Sequence, residues 1–220
     1  MYNDPLDEES RRLLCVPPAQ RDAAMLEATI QLTNKHAPDF FSTITAAQHM
    51  ALAKAWRYQF FPPGADICMP EEECASFYIV LEGACVCTER QVHHLEGRAG
   101  SEGFRRIVNC RRGKAFGHYP LVIGESKYDY SARVEDAPGC CLLLVPKAAY
   151  MQVMRKEIER QMKDTVGVLH QNKTFAPWSL HALNRLYFWF TRRRYGSSDD
   201  IVRQGVRMRA RCPLPCRCHA

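Results

Sequence analysis

The sequence predicts a mainly β jelly-roll fold with helices on both flanks, and three observations carry this. Between Trp56 and Val145, short runs of β-branched and aromatic residues are punctuated by Gly and Pro turn signals, which is the texture of a sandwich or jelly roll. Ahead of Trp56 the pattern is helical. After Pro146 it becomes helical again, with apolar residues near a 3.6-residue period.

The elements follow in order. Residues 20–35 and 43–55 read as helices. Arg21 to Leu32 is rich in Ala, Leu, Met and Glu, with Met25, Leu26, Ile30 and Leu32 broadly on one side. Pro38 separates this segment from the next, where Thr45 is placed to cap Ala46 through Ala55. Arg57 to Phe61 is the first strand, Pro62-Pro63-Gly64 its turn, and Asp66 to Met69 the second. Phe77 to Leu81 is a strong strand signal. Glu82-Gly83 reads as a turn, with Ala84 to Glu89 as the hairpin partner. A Gly-rich loop from Gly97 to Gly103 leads to Phe104–Asn109, then Tyr128–Glu135, then Cys140–Val145. Lys147 to Gln171 has no internal proline. Its Val153, Ile158, Met162, Val166 and Leu169 recur at helical spacing, and Lys156, Glu159, Arg160 and Lys163 fill the other face. That helix is expected either to lie on the barrel as a solvated amphipathic helix or to serve as a mobile lid, and the sequence does not separate the two.

A repeat is visible at an offset of 134 residues: Trp56 to Glu71 against Phe190 to Gly205, pairing Phe61 with Tyr195, Asp66 with Asp200 and Ile67 with Ile201. The expected organisation is an N-terminal helical extension over 1–35, a β domain over 36–172, and the truncated start of a second such domain over 173–206. A basic, Cys-rich tail over 207–220 completes it and is expected to be disordered. One strand and a turn cannot bury a β core alone.

Charge and cysteine usage exclude several functions. Residues 191–220 hold eight arginines against two aspartates, which accounts for the whole net charge of +6. The body ahead of them is balanced and is not expected to track nucleic acid. An acidic, polar N-terminus and a longest apolar run of Cys140 to Val145 predict no leader and no membrane span. The expected location is the cytoplasm. Eleven cysteines is an odd count, and Cys68, Cys85, Cys87, Cys140 and Cys141 sit in apolar stretches, so buried reduced thiols are expected. His93-His94 are adjacent and would point to opposite faces of a strand, unlike a metal-holding His-x-His pair. Cys212, Cys216, Cys218 and His219 are dense but lack the spacing of a zinc finger. With no Ser-His-Asp, Walker or Rossmann signature, the chain is expected not to be an enzyme and to need no cofactor.

Three spaced motifs now point one way: Phe61-Pro62-Pro63-Gly64-Ala65-Asp66-Ile67, Phe77-Tyr78-Ile79-Val80-Leu81-Glu82-Gly83, and Gly113-Lys114-Ala115-Phe116-Gly117-His118. Over roughly residues 40–172 the chain resembles the cyclic-nucleotide-binding domain family. That family includes protein kinase A regulatory subunits, nucleotide-gated channels and bacterial catabolite activators. The style is that of the stand-alone cyclic nucleotide-binding domain-containing proteins, and Phe175 to Gly205 resembles the start of a tandem copy. The resemblance implies an eight-stranded jelly roll (double-stranded β-helix) followed by helices. It also implies a ligand cassette of Phe-Gly-Glu, a short helix with a Leu, then Arg-x-Ala on the next strand. In such a cassette the short helix offers backbone N–H groups to the cyclic phosphate, the arginine pairs with its charge, and the glutamate accepts from the ribose.

By that resemblance the ligand residues here are Phe116, Gly117, His118, Tyr119, Pro120, Leu121, Tyr130, Ser131 and Ala132. Two of them depart from the pattern: His118 stands at the glutamate position and Tyr130 at the arginine position. Arg133 is expected to face away from the pocket, and Arg105, Arg106, Arg111 and Arg112 to be solvated. The implied function is a non-enzymatic regulatory module for cAMP or cGMP in intracellular signalling, binding weakly or atypically. Restoring both residues, by Tyr130→Arg and His118→Glu, is expected to restore both contacts. The alternative is a degenerate domain whose fold serves as a protein–protein scaffold, with the helices or the truncated repeat as contact surface. A catabolite-activator role would require a helix-turn-helix after the long helix, and none is apparent.

Overall fold

In the computed structural model, the described residues are 4–92, 102–135, 138–187 and 196–198. Seven strands form the body: β1 Arg57–Phe61, β2 Asp66–Cys68, β3 Ser76–Val92, β4 Glu102–Arg111, β5 Ala115–Phe116, β6 Tyr130–Arg133 and β7 Cys140–Pro146. Helices α1 Glu8–Cys15, α2 Ala23–His36, α3 Pro38–Phe41 and α4 Ala46–Ala53 precede the body. The short α5, His118–Ile123, interrupts it, and α6 Lys147–Gln171 and α7 Leu180–Tyr187 follow.

Two antiparallel sheets meet along β3. Its first half pairs with β7 and β5, and its second half with β4 and β6. The β1–β7 and β2–β6 pairings close the two sides. The expected turn at Glu82-Gly83 is therefore corrected: Phe77–Leu81 and Ala84–Glu89 are one continuous strand crossing from one sheet to the other. Gly83 is needed for a corner. Its φ is +82, and a Cβ there would stand 2.0 Å from the Gly139 carbonyl oxygen, so only glycine admits the close approach of the facing chain. This continuity explains why the described residues contain seven strands and not the expected eight.

The central strands β3 and β7 are covered on both faces, so consecutive residues build the core. Ile79, Val80, Leu81, Leu142 and Leu143 are fully buried. Cys68, Cys85, Cys87, Cys140 and Cys141 pack among them as small hydrophobes, and none of the described cysteines is in a disulfide. On the helical side, Thr45 and Gln48 form a reciprocal capping box at the start of α4. Pro38, read as a separator, occupies the first turn of α3, where its missing N–H costs nothing. Helix α1, unforeseen from sequence, is capped by Asp7 and buries Leu14.

One polar knot ties α2 to the sheet corner. His36 Nδ1 and Arg112 Nη1 each lie 2.9 Å from Glu82 Oε1. Helix α6 spans the predicted residues, and its Tyr150 stacks on Phe77 of β3 at 4.3 Å. Helix α7 falls where the second copy was expected to begin. It packs Leu183 and Leu186 against Val166 of α6. The repeat at Phe190–Gly205, the loop histidines His93 and His94, and the tail 207–220 lie outside the described residues, apart from 196–198. Among the described residues no helix is long and apolar enough to cross a membrane.

Candidate functional site

The cassette is set by backbone hydrogen bonds to the β3 strand. Gly113 N–H donates to the Val80 carbonyl and Val80 N–H to the Lys114 carbonyl, both at 2.9 Å. This lays β5 against Tyr78 and Ile79, and Phe116 stacks on Tyr78 with ring centroids 4.8 Å apart. Gly117 follows at φ +90 as the N-cap of α5. A Cβ there would meet the Ser76 carbonyl oxygen and the Tyr78 ring at 3.1 Å. The chain thus turns sharply into α5 with no side chain in the way.

Helix α5 carries the first chemical departure that sequence reading missed. Pro120 is its third residue, so one of the four first-turn donors that a helix N-terminus offers is absent. Leu121 is fully buried and anchors the helix to the core. Tyr119 is half-buried. His118 faces the helical layer, with its ring perpendicular to Phe77 at 6.1 Å. Burial holds its imidazole well below the usual range, to about 4, so it is neutral at pH 7. It lines a cleft of about 610 Å3 together with Phe40, Phe77, Tyr150, Met154 and Ile158.

Strand β6 alternates as expected. Tyr130 and Ala132 are buried, Ser131 is half-buried, and Arg133 is exposed. Ser131 Oγ lies 2.7 Å from Thr88 Oγ1 across the β3–β6 pairing. Arg133 faces away from the buried side, with Asp66 Oδ1 3.7 Å from its Nε. Inward of β6 sits a group of aromatic residues. Tyr128 and Tyr130 meet edge to face at 5.6 Å, and Tyr128 OH donates to the Ser76 carbonyl at 3.0 Å. Burial drives the Tyr130 phenol well above its ordinary pKa, so it is a neutral donor. Tyr130 is 8% exposed, and its buried hydroxyl has no hydrogen-bond partner.

The structure therefore divides the predicted residues. Phe116, Leu121, Tyr130 and Ala132 are buried in one core, whereas His118 lines the cleft on the helical side, a lining that includes neither Tyr130 nor Ala132. Tyr78 and Tyr128 were overlooked in the sequence. The alternation Tyr128-Asp129-Tyr130 was the available signal, since residues two apart on a strand share a face. No group of His, Cys, Asp or Glu among the described residues could hold a metal ion.

No family model and no curated protein matches the sequence. Solved structures do. Cyclic AMP-bound PfPKA-R aligns at a TM-score of 0.53 and 11% identity, covering 76% of this chain and 55% of that one. A triple-substituted regulatory subunit of a cAMP-independent protein kinase A from Trypanosoma brucei, bound to cAMP in its A site, aligns at 0.51 and 16%, covering 81% and 53%. The Trypanosoma cruzi regulatory subunit of a cAMP-independent protein kinase A, bound to guanosine, aligns at 0.50 and 16%, covering 63% and 46%. The chain thus spans about half the length of these structures. At such identities the likeness shows the fold: an antiparallel, curled sheet with flanking helices, of the cyclic-nucleotide-binding kind.

Proposed function

We propose that the chain is a non-enzymatic regulatory module that binds a cyclic nucleotide weakly, as part of intracellular signalling. The observation that carries this reading is the Tyr130 hydroxyl, buried and unpartnered at the position where the resembled cassette has its arginine. An unpaired buried hydroxyl costs about 1–3 kcal/mol, and a phosphate or sugar oxygen arriving there would recover part of it. The frame around it supports the same reading: Gly117 in its left-handed turn, α5 seated by Leu121, and Ala132 leaving room on β6.

The departures set the strength. A neutral hydroxyl bond is worth roughly 0.5–1.5 kcal/mol against about 1.5–3 for one to a charged donor. Pro120 removes a backbone donor, and His118 is neutral and turned to the cleft. A dissociation constant above micromolar follows. Two neighbours make the comparison concrete. The Trypanosoma brucei subunit bound to cAMP carries three substitutions, one of them to arginine, and the Trypanosoma cruzi subunit is bound to guanosine, which has no phosphate.

Calorimetry on the full chain with cAMP, cGMP and guanosine tests this. Weak saturable binding of a cyclic nucleotide, reduced several-fold by Tyr130→Phe, is the expected outcome. Absence of heat at millimolar ligand from folded protein overturns it. The scaffold reading would then stand, and one observation favours it: Tyr78, Phe116, Tyr128 and Tyr130 fill the buried side of the cassette with rings.

A further inference from the structure

Helix α6 turns one face toward the cleft that His118 lines. Tyr150, Met154, Ile158, Gln161, Thr165 and Val168 recur every three or four residues, and all of them line it. That spacing places them in one row along the helix. From Tyr150 to Val168 the row runs about five turns, or roughly 27 Å, so the cleft is a groove along α6. Helix α3, the residues leading into β5 and the start of α5 supply its other wall.

The groove is apolar along its floor and acidic at its sides. At one end Tyr150, Met154 and Ile158 are buried against Phe77 and the core. At the other, Val168 continues the row and is 69% exposed. Among the described residues, three carboxylates, Asp39, Glu157 and Asp164, line the groove against one lysine, Lys114, which leaves it a net charge of −2. His118 is neutral. Arg155, Lys156 and Lys163 of α6 are not part of the lining. Arg160 reaches it only from outside: its Nη2 lies 2.6 Å from Glu157 Oε1 and its Nη1 3.4 Å from Asp164 Oδ2. The two carboxylates are thus spaced to take one guanidinium between them. Exposed ion pairs of this kind hold weakly and exchange readily.

We propose that the groove is a docking site for an amphipathic helix of a partner protein. Its apolar side chains lie along Tyr150, Met154, Ile158 and Val168, and its arginines take Glu157, Asp164 and Asp39. A helix laid in a groove offers an apolar stripe at intervals of three or four residues, which is the interval of the α6 row. Arginine suits the carboxylates because its planar fork pairs with them in two places at once. The lining includes neither Tyr130 nor Ala132, so the site is independent of whether the cassette binds a nucleotide.

Fluorescence anisotropy of the full chain, without nucleotide, tests this with two labelled amphipathic peptides of about eighteen residues, the length of the groove as a helix. They are alike except that one carries arginines on its polar face and the other glutamates. The arginine peptide should bind saturably, and the glutamate peptide about tenfold more weakly or worse. The whole chain carries +6, so that preference would reflect the groove and not the net charge. Glu157→Gln combined with Asp164→Asn should weaken the arginine peptide about three- to tenfold. Arg160→Ala should tighten it about two- to fivefold, because both carboxylates lose their internal partner. Val168→Lys, at an exposed position, should weaken it without unfolding the chain. Arg155→Ala should change nothing, since Arg155 pairs with Glu159 away from the groove. If the two peptides bind alike, or if Arg160→Ala binds the arginine peptide no more tightly than wild type, the docking site is overturned. Absence of binding to folded chain at about 0.1 mM overturns it as well, and a dimer in sedimentation would then assign the groove to a second copy of the chain.

Discussion

Replacing Tyr130 by arginine puts the resembled cation back where the structure has a phenol. Its cost and its gain separate cleanly. Tyr130 is 8% exposed and lies near Cys68, Cys87, Tyr78 and Tyr128, none of them an anion at neutral pH. Without ligand, the guanidinium would be taken out of water among these uncharged groups, with Glu89 directly opposite on β3 as its cross-strand carboxylate, and the desolvation of such a pair offsets most of its attraction. The edge-to-face contact with Tyr128 would go as well, at about 0.5–1.5 kcal/mol. With cAMP bound, a neutral hydroxyl bond is exchanged for a charge-assisted one. The difference of about 1–2 kcal/mol corresponds to roughly a tenfold tighter complex. Tyr130→Arg should therefore melt earlier than wild type alone, bind cAMP about tenfold more tightly by calorimetry, and recover more melting temperature when saturated with cAMP. His118→Glu should add little, because that side chain lines the cleft beside Phe77 and Tyr150, where a carboxylate would lose hydration. Pro120→Ala is the better companion, since it returns an N–H to the first turn of α5. If Tyr130→Arg folds and binds cAMP no more tightly than wild type, the Tyr130 position does not face the ligand and the cassette assignment is wrong.

Three further outcomes test the scaffold. Gly83→Ala would drive a methyl to 2.0 Å from the Gly139 carbonyl oxygen at a φ of +82, so urea unfolding should show a loss of at least about 2 kcal/mol; an unchanged midpoint would mean the sheet corner is loose. Thr45→Ala removes the hydroxyl that caps α4 at Gln48 N–H and should cost about 1 kcal/mol in the same assay. Stability should also fall with acid through His49, whose pKa burial lowers to about 4 from the usual 6.5. Its contribution is complete above the unfolded value of about 6.5 and is lost as pH drops from there through about 4, by up to about 3 kcal/mol. His118 acts in the same sense. A His49→Gln variant should flatten the pH profile, and an equally steep profile in that variant would move the effect to other groups.

Much of the fold was legible because its signals are local. Thr45 three residues before Gln48 marks a helix start whatever surrounds it, and the capping box is present. The apolar spacing from Lys147 to Gln171 locates α6 without knowledge of its partner. Gly83 was misread for the opposite reason. A glycine after a strong strand carries the same local signal whether it ends a strand or lets a strand bend past a neighbour. The contact that decides between them, with Gly139, is fifty-six residues away in sequence. Helix α1 has a small apolar face, and its buried Leu14 gains meaning only against the sheet it covers.

The site shows the same division more sharply. The left-handed turn at Gly117, the burial of Leu121 and the alternation of Tyr130 and Ala132 all follow from short-range pattern. That His118 belongs to the helical side follows only from where α6 lies, because Tyr150 and Met154 build the wall it meets. The register of β3 with β4 was equally out of reach, since it depends on a pairing between two strands and not on either one alone. The β4 strand shifts by one residue between Cys87 and Thr88. The skipped residue is Ile107, and nothing local in Phe104–Asn109 marks it, because a bulge is defined only against the partner strand.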